Sequence, residues 1–266
     1  MVTNVLFLGR VAYGTALQLQ RTLMDLRKAA RIENTLLLLE HPPVITLGRN
    51  ARLANVLAPP EFLAQQGVEL FDIDRGGDVT FHGPGQLIAY PILDLRSFDP
   101  KVGAVEYVRR LEEVLIRTCS DYGVGAQRIK GLTGVWTYAL PDKPEAKIAA
   151  IGVHISRSVT THGFALNVST DLDSFSLIVP CGISGKPVTS LERELKRPLK
   201  LEEVATSASR NFGRVFRTQM LWLESLDDLL AQAAMVASTE GTSNQDTPAR
   251  PPKELREPRG DGTEMA

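Results

Sequence analysis

Residues 147–168 have the sequence KIAAIGVHISRSVTTHGFALNV, and this stretch decides the type of sheet that the chain forms. An apolar run opens at Lys147, a short polar turn follows, and a second run ends in HGFALN. Two such runs around a short turn predict two antiparallel strands joined as a hairpin. Lys147 is unusual in this setting, because a long charged side chain is seldom buried in a sheet without a partner.

The pattern of strands and helices continues outward from this hairpin. Further strands are predicted at residues 4–9, 34–41, 43–48, 68–74, 87–95 and 134–138. Apolar residues at helical spacing and helix-terminal signals predict helices at residues 16–30, 59–67, 105–122, 201–216 and 223–235. Hairpins and separated helices favour an α+β (mixed α/β) fold with a mixed, mostly antiparallel sheet over a regular series of β-α-β units.

The composition excludes several classes of protein. The chain has 266 residues, of which 43% are hydrophobic and 23% are charged, as in ordinary globular proteins. Its formal net charge of -1 gives no indication of a nucleic acid or a membrane surface as partner. Two cysteines fit a reducing compartment, and neither a signal peptide nor a run of roughly 20 apolar residues is found. We therefore expect a cytoplasmic protein with no membrane or nucleic-acid partner.

The composition changes from about Ser238 to the C-terminus. This segment has no aromatic residue, a single leucine and a high share of proline, glycine and charge. Such a segment buries too little apolar surface to offset the entropy lost on ordering. We expect one catalytic domain over residues 1–237 and a disordered tail over residues 238–266.

A glycine-rich segment, RGGDVTFHGPGQ at residues 75–86, is typical of a ligand-binding loop. Its glycines let the backbone approach a ligand, and Arg75 and His82 bring polar groups to its edges. It is not a dinucleotide-binding motif, because it runs into a strand and not into a helix. The later segment GISGKPVTS is not a P-loop, because Pro187 follows Lys186 where serine or threonine is required.

The two cysteines lie in different settings. Cys119 lies on the apolar stripe of a predicted helix and is expected to be an inert core residue. Cys181 lies on a turn between Pro180 and Gly182, where either a nucleophile or a buried small residue fits.

A nucleophilic cysteine needs a basic or cationic neighbour to form its thiolate. The candidates are a lysine or one of the four histidines, and a Cys–His arrangement stays open on the residues alone. His41 is expected to be a turn residue, and His154 a core or surface residue with satisfied hydrogen bonds. No cysteine and histidine spacing indicates a metal site.

Four stretches together resemble one family. They are RGGDVTFHGPGQLIAYPILDL (75–95), GVWT (134–137), the hairpin at 147–168, and DLDSFSLIVPCGISGKPVTSL (171–191). In this order they resemble the octanoyltransferases, also called lipoate–protein ligase B, over residues 5–216. The resemblance implies the fold of the biotin/lipoate protein ligase catalytic domain. It also implies transfer of an octanoyl group from octanoyl-acyl carrier protein to a lysine of a lipoyl domain, without a cofactor or a metal.

The resemblance also implies residue roles. The catalytic pair of the family maps onto Cys181, as the nucleophile that carries the acyl group, and Lys147, which faces it. The substrate-contacting stretches map onto Arg75, Gly76, Gly77, Asp78, Val79, Thr80, Phe81, His82, Ala150, Ile151, Gly152, Gly163, Phe164 and Ala165. The small residues of these stretches are expected to form the walls of an apolar slot, although close strand packing explains any one of them equally well. Asp78 departs from the glutamine or glutamate expected at its position.

The partners implied by the resemblance are acidic proteins. They are octanoyl-acyl carrier protein as donor, and as acceptors the lipoyl domains of 2-oxoacid dehydrogenase complexes and of the glycine-cleavage H protein. A basic segment, RELKRPLK at residues 193–200, follows Cys181 in the sequence. We expect it to be either a docking patch for the carrier protein or a solvated surface.

Three alternatives differ from this interpretation. The first is an ATP-dependent lipoate or biotin ligase of the same fold, which needs a phosphate-binding lysine and no catalytic cysteine. The second is an acyl-binding module without turnover. The third is a Cys–His hydrolase, in which His82 or His162 would be essential and Lys147 would not.

Overall fold

The structure of the chain is a computed structural model that describes residues 1–180 and 185–243. Cys181 therefore lies outside the described residues, as do residues 244–266 of the predicted tail. The described strands are β1 (Val2–Arg10), β2 (Asn34–Glu40), β3 (Val44–Leu47), β4 (Glu69–Asp72), β5 (Val79–His82), β6 (Gln86–Ile92), β7 (Ala126–Ile129), β8 (Leu132–Thr137), β9 (Lys147–Ser156), β10 (Val159–Asn167) and β11 (Gln219–Trp222). The described α-helices are α1 (Tyr13–Lys28), α2 (Pro60–Gln65), α3 (Ala104–Asp121), α4 (Leu191–Leu195), α5 (Leu201–Phe216) and α6 (Leu226–Ser243).

These strands form two sheets. The large sheet has the order β11-β1-β2-β6-β10-β9-β8-β7, and the small sheet has the order β4-β3-β5. In the large sheet β1 runs parallel to β2 and β11, and the other neighbours are antiparallel. The expectation of a mixed, mostly antiparallel architecture flanked by helices is therefore confirmed. The hairpin at 147–168 forms β9 and β10, which pair from Val159 opposite Ser156 to Leu166 opposite Ala149.

The central strands are buried on both faces, which explains why their sequences are almost continuously apolar. In β2, Leu36 and Leu38 pack in one core cluster with α3 and α5, whereas Leu37 and Leu39 pack in another with α1 and α6. A strand sends successive side chains to opposite faces, so each face receives every second leucine. The sheet is thus the middle layer of a helix–sheet–helix arrangement.

Several elements differ from their predicted bounds. Strand β5 lies inside the glycine-rich segment that the sequence suggests is a loop, and β7, β11 and α4 are not predicted at all. Helix α1 ends at Lys28, because Ala30 has a left-handed φ of 54°. Val105, which the helical spacing places on the buried side of α3, is 77% exposed, and Tyr107 is buried in the core instead. Helix α6 continues to Ser243, beyond the predicted domain boundary at residue 237.

Gly163 is required by strand packing. A Cβ at this position would lie 2.2 Å from the carbonyl oxygen of Ala89 and 2.6 Å from Cδ of Pro91, both in the neighbouring strand β6. Backbone atoms in the middle of a sheet cannot move aside, so a side chain here is sterically excluded. The close strand packing that the sequence leaves open as the alternative for Gly163 therefore applies here, and its role as a substrate contact stays a prediction.

A buried hydrogen-bond network joins the small sheet to the large one. His82 of β5 donates from Nδ1 to Gln86 Oε1 at 2.7 Å, and Gln86 Nε2 donates to Asn167 Oδ1 at 2.8 Å. Asn167 Nδ2 in turn donates to the carbonyl oxygen of Thr189 at 2.9 Å. Buried polar groups of this kind are tolerated because each finds a partner.

His41 lies in the connection between β2 and β3, where the sequence predicts a turn residue, and it is fully buried there. Its Nδ1 lies 2.7 Å from the carbonyl oxygen of Val11, which can only accept, so Nδ1 carries the proton. Its Nε2 therefore accepts from the Tyr90 hydroxyl at 2.8 Å. Burial lowers the pKa of His41 to about 4 and that of His82 to about 3, so both rings are neutral near pH 7.

Replacing Gly163 by alanine is expected to destabilise the protein by roughly 1–3 kcal/mol, because the new Cβ overpacks the sheet against β6. Gly14→Ala is the matched control, since a Cβ at Gly14 meets only Phe71 at 3.6 Å and lies in a helix. Its stability is expected to be unchanged or slightly higher. Urea unfolding monitored by circular dichroism measures both. Equal midpoints for the two variants would contradict the close-packing argument.

Because His41 and His82 are buried as neutral rings, we expect the free energy of unfolding to fall as the pH is lowered from about 6.5 towards 4. In this window the unfolded chain binds a proton at His41 and at His82 and the folded chain does not, so each contributes a loss of about 1.4 kcal/mol per pH unit. Urea unfolding at pH 7.5, 6.5, 5.5 and 5 measures the slope. His41→Gln is expected to lower this slope by about 1.4 kcal/mol per pH unit, and a flat profile in the wild type would contradict the assignment.

Candidate active site

A cavity lies between the small sheet and strands β6, β9 and β10 of the large sheet; we call it the slot. The slot is narrow, with a cavity volume of about 50 Å³. It is lined by Tyr13, Arg75, Gly76, Gly77, Asp78, Thr80, His82, Ile88, Tyr90, Ala150, Ile151, Gly152, His162, Gly163, Phe164 and Ala165. The substrate-contacting stretches implied by the family resemblance therefore converge on one cavity, although they are far apart in the sequence.

Val79 and Phe81 are absent from this lining. They belong to strand β5, in which Thr80 and His82 face the slot. Successive residues of a strand face opposite sides, so Val79 and Phe81 point away from the slot. They pack with Ile45 in the core cluster behind the small sheet. Their side chains therefore lie on the core side of β5, and their implied role as substrate contacts stays a prediction.

Arg75 occupies the space beside Gly152, a glycine that the sequence predicts to be a wall of the slot. Its side chain is 7% exposed, and its Nη2 donates to both the carbonyl and the hydroxyl oxygen of Thr46 at 2.9 Å. A Cβ at Gly152 would lie 2.8 Å from Cδ of Arg75, so this glycine makes room for the arginine. Of the four small residues proposed as slot walls, Ala150 and Ala165 keep that role without such a competing partner.

Asp78 has a structural task in the loop before β5. Its carboxylate accepts hydrogen bonds from the Arg52 backbone N–H at 3.1 Å, from Asn55 Nδ2 at 2.5 Å and from its neighbour Val79 N–H at 2.8 Å. The short aspartate side chain reaches these donors directly. Asp78, which stands where glutamine or glutamate is expected, therefore holds the loop to the segment at residues 52–55.

Two histidines and a carboxylate meet at the rim of the slot. His162 Nε2 lies 2.8 Å from one oxygen of Asp74, and His154 Nε2 lies 3.7 Å from the other. The hydrogen bond from His162 lowers the pKa of Asp74 to about 2, and burial lowers the pKa of His162. His154 Nδ1 is buried without a hydrogen-bond partner in the described part of the chain, so the expectation of a satisfied histidine is wrong.

The backbone turns His162 toward this rim. His162 has a left-handed φ of 55° within β10. Its cross-strand partner Val153 packs on the side of α3 and α5, whereas the side chain of His162 lies at the slot. A positive φ at a residue other than glycine costs free energy and occurs mainly where surrounding contacts hold it. Here Gln20 of α1 accepts from the His162 backbone N–H at 2.7 Å.

His82 presents an acceptor atom to the slot. Gln86 donates through Nε2 to the backbone oxygen of Phe81 at 3.3 Å, which fixes the orientation of its amide. Its Oε1 must then accept the proton on His82 Nδ1, so Nε2 of the neutral ring carries a lone pair. Tyr13 stacks on this imidazole with ring centroids 6.3 Å apart.

Lys147 is buried, with 7% exposure, at the start of β9. Val135 pairs with Ala149 whereas Trp136 pairs with Lys147, so Ile148 is an extra residue that forms a β-bulge. Ile148 packs with α3 on one face of the sheet, and Lys147 shares a cavity with Ala150 on the other. Strict alternation would put Lys147 and Ala150 on opposite faces, so the bulge turns the lysine toward the slot side.

The cavity around Lys147 adjoins the slot. Both are lined by Thr80, Ala150 and Ala165, and the Lys147 cavity is also lined by Pro180, the residue before Cys181 in the sequence. The Lys147 backbone N–H donates to the carbonyl of Pro187 at 2.8 Å, and the Thr189 N–H donates to the Lys147 carbonyl at 2.9 Å. Lys147 is thus held against the segments on both sides of residues 181–184.

The sequence missed four slot-lining residues as substrate contacts: Tyr13, Ile88, Tyr90 and His162. Ile88 and Tyr90 alternate along β6, which signals that they share a face but not which face meets a cavity. Tyr13 opens α1, and only the packing of that helix on the large sheet brings it to the slot.

The remaining predicted residues lie apart from the slot lining. Cys119 is fully buried in α3, and burial raises the pKa of its thiol to about 12, which fits an inert core residue. Arg193, Lys196, Arg197 and Lys200 are exposed, and the first three border a surface groove beside Ser169 and Asp171. Lys186 pairs with Glu145.

The described ranges, residues 1–180 and 185–243, contain neither a metal-binding cluster nor a membrane-spanning helix. Within these ranges no three or more histidine, cysteine, aspartate or glutamate side chains are grouped so that they could hold a metal ion. Within the same ranges, no helix combines the length and the apolar character that crossing a bilayer requires.

The fold of the chain is similar to that of solved lipoylation enzymes. A bipartite lipoate protein ligase from Thermoplasma acidophilum matches with a TM-score of 0.67, at 16% identity, over 90% of this chain and 92% of that chain. A lipoate-protein ligase A bound with ATP matches with a TM-score of 0.66, at 15% identity, over 90% and 95% of the two chains. The expected biotin/lipoate ligase type of fold is confirmed.

Sequence comparison gives the family. Residues 12–213 match the model of the lipoyl protein ligase A/B catalytic domain. An octanoyltransferase of Koribacter versatilis is 62% identical over 253 residues, 95% of each chain, and one of Acidobacterium capsulatum is 60% identical over 90% of this chain and all of its own. The chain therefore belongs to the octanoyltransferase family and is an acyltransferase that acts in octanoyl transfer for protein lipoylation.

Proposed function

We propose that the chain transfers an octanoyl group from octanoyl-acyl carrier protein to Cys181 and then to a lysine of a lipoyl domain. The acceptors are the lipoyl domains of 2-oxoacid dehydrogenase complexes and of the glycine-cleavage H protein, and the reaction takes place in the cytoplasm. One observation carries the proposal. A buried lysine, Lys147, shares a cavity with Pro180, and this cavity adjoins a slot lined largely by apolar and small residues.

The first step forms an acyl-enzyme. The Cys181 thiolate attacks the carbonyl carbon of the carrier thioester, a new C–S bond forms, and the bond to the carrier sulfur breaks. The carrier leaves as a thiolate, which takes up a proton. Exchange of one thioester for another is close to neutral in free energy, so no ATP is consumed. A protonated Lys147 favours the thiolate form of a neighbouring cysteine.

The second step forms the amide. The amine of the acceptor lysine attacks the acyl-enzyme, an N–C bond forms, and the C–S bond to Cys181 breaks. Lys147, once deprotonated, accepts the proton that the amine loses. Because the acyl group stays on the enzyme between two protein substrates, the proposed kinetics are ping-pong.

The slot accounts for selection of a medium acyl chain. At ~0.8 kcal/mol per buried methylene, seven chain carbons contribute roughly 5 kcal/mol of binding free energy. Ala150, Ala165, Ile88 and the ring of Tyr90 supply apolar surface for them. This contribution is large enough to discriminate an octanoyl group from a short acyl group.

Two observations weigh against the hydrolase alternative. The pKa of His82 is lowered to about 3 by burial, and its Nδ1–H is committed to Gln86, so it is a weak general base near pH 7. Burial also lowers the pKa of His162, which weakens it as a base. The ligase alternative is disfavoured because Lys186, the candidate phosphate-binding lysine, is paired with Glu145.

The basic segment at residues 193–200 is proposed as the docking patch for the acidic carrier protein. Its four basic side chains are exposed, and Arg193, Lys196 and Arg197 border one groove. Helix α4, which carries Arg193, is followed by Lys196 in a left-handed conformation that ends the helix. The patch follows Thr189, which is hydrogen-bonded to Lys147, so it is close in the chain to the proposed catalytic residues.

Incubation with octanoyl-carrier protein, without ATP or magnesium, is expected to add one octanoyl group to Cys181, measured by mass spectrometry of the intact protein and its peptides. Cys181→Ser is expected to abolish this thioester, and Lys147→Ala to slow both its formation and its transfer by at least ~100-fold. Cys119→Ala is the matched control, because that thiol is buried, and it should keep the adduct. A strict requirement for ATP would indicate the ligase, and full activity of Lys147→Ala the hydrolase.

Charge reversal in the docking patch, Arg193→Glu with Arg197→Glu, is expected to raise KM for octanoyl-carrier protein about tenfold while kcat stays near its wild-type value. The physical reason is lost attraction to an acidic partner, which high salt should mimic in the wild type. Lys101→Glu with Lys130→Glu makes the same change of charge at exposed positions outside the patch and serves as control. An unchanged KM that salt does not affect would contradict the docking assignment.

A further inference from the structure

A segment beside the slot presents leucines and arginines to solvent. It comprises residues 49–57, RNARLANVL, and we call it the ledge. Leu53 is 70% exposed and Leu57 is 57% exposed, and the side chains of Arg49 and Arg52 are exposed as well. In the described part of the chain, neither of these arginines forms an ion pair. Exposed apolar side chains grouped with polar ones indicate a surface that meets another protein.

Backbone hydrogen bonds hold one end of the ledge to the glycine-rich segment that lines the slot. The N–H of Arg49 donates to the carbonyl oxygen of Arg75 at 3.0 Å. The N–H of Arg52 donates to the carboxylate of Asp78 at 3.1 Å. Because these bonds use only the backbone of Arg49 and Arg52, their guanidinium groups take no part in holding the ledge in place.

The other end of the ledge is bound to the part of the chain that leads to Cys181. The N–H of Leu57 donates to the carbonyl oxygen of Leu177 at 2.8 Å, and the N–H of Val179 donates to that of Asn55 at 2.8 Å. Val179 lies two residues before Cys181 in the sequence. The ledge therefore connects the loop that lines the slot with the segment that leads to the proposed nucleophile.

We propose that the ledge is the surface on which the acceptor lipoyl domain docks, an inference that rests on the proposed function. In the second step a lysine of the acceptor must reach the carbonyl carbon of the acyl-enzyme. An extended lysine side chain spans about 6 Å from Cα to Nζ, so the acceptor surface must come about that close to the thioester. Residues beside the nucleophile then contact the acceptor directly, and exposed leucines supply apolar surface that this contact buries.

The ledge and the docking patch at residues 193–200 differ in what they offer a partner. In the patch, Leu195 and Leu199 are half-buried and pack against the core, so its exposed side chains are mainly charged. Charge alone attracts a partner over a long range, which suits the carrier protein. The ledge combines two positive charges with exposed leucines, and it is bound to the chain before Cys181, whereas the patch follows it. Two acidic protein substrates that use one nucleophile in turn therefore have separate surfaces.

A single-turnover experiment measures acceptor docking apart from acylation. Octanoyl-enzyme is prepared from octanoyl-carrier protein, checked by mass spectrometry and mixed with rising concentrations of a lipoyl domain. Leu53→Ala with Leu57→Ala is expected to raise the half-saturating concentration of the lipoyl domain about tenfold. The limiting transfer rate is expected to stay within about twofold of the wild-type value, and the rate of acylation to be unchanged. Leu221→Ala with Leu230→Ala replaces two exposed leucines of β11 and α6, away from the slot lining, and is the matched control.

Charge reversal tests the arginines of the ledge in the same assay. Arg49→Glu with Arg52→Glu is expected to raise the half-saturating concentration of the lipoyl domain about tenfold and to remove most of its dependence on salt. Since the side chains of both arginines are exposed and do not hold the ledge, the urea midpoint is expected to stay at the wild-type value. Lys101→Glu with Lys130→Glu makes an equal change of charge elsewhere and is expected to behave as the wild type.

The outcomes separate this inference from the function on which it rests. If no adduct forms on Cys181 in the wild type, the proposed function is overturned and the inference with it. If the adduct forms but both ledge variants keep the wild-type half-saturating concentration, the docking assignment alone is overturned. It is also overturned if the limiting rate falls while that concentration is unchanged, which would indicate a structural role. A loss confined to saturation by the carrier protein would show that the ledge binds the donor instead.

Discussion

The burial of the Lys147 ammonium is the constraint on which the site depends. Lys147 is the first residue of β9, and strict alternation along this strand would turn its side chain into the α3–α5 core. That core is apolar, so burial of an ammonium group there would be unfavourable. The extra residue Ile148 absorbs this conflict, because it turns its own side chain into the core and Lys147 to the opposite face. There the stem of the lysine lies against Gly134 and its ammonium beside Trp136. The bulge thus converts an unfavourable burial into a positioned cation.

The same region shows why the small sheet is needed. Strand β5 covers the open face of β6 and β10 and closes the slot with Thr80 and His82. The chain of hydrogen bonds from His82 through Gln86 and Asn167 ends on Thr189, whose N–H also holds the carbonyl of Lys147. Displacement of the small sheet would leave several buried polar groups without partners at once. The slot and the lysine are therefore held by one connected network.

Much of the fold could be predicted from periodicity alone. The hairpin of β9 and β10, the leucine-rich strand β2 and the helices α3 and α5 have strong patterns, and the structure contains all of them. Strand β5 was missed because glycines on both sides of it resemble a loop, and β7 and β11 because four-residue edge strands carry little pattern. In the site, motifs indicated Lys147 and the glycine-rich segment, whereas Tyr13 and Tyr90 carry no motif. The assignment of Cys181 and the boundary of the tail stay predictions.

The sequence by itself determined the alternation of elements, the family and the residue types that transfer chemistry requires, because these follow from local pattern and from motif order. Only the tertiary structure decided which glycines make room for protein and which residues face the slot. Gly152 admits Arg75 and Gly163 admits β6, while Val79 and Phe81 turn away from a cavity that Thr80 and His82 enter. The physical reason is that the space around a residue is set by side chains and backbone distant in the sequence, which close packing brings within van der Waals contact.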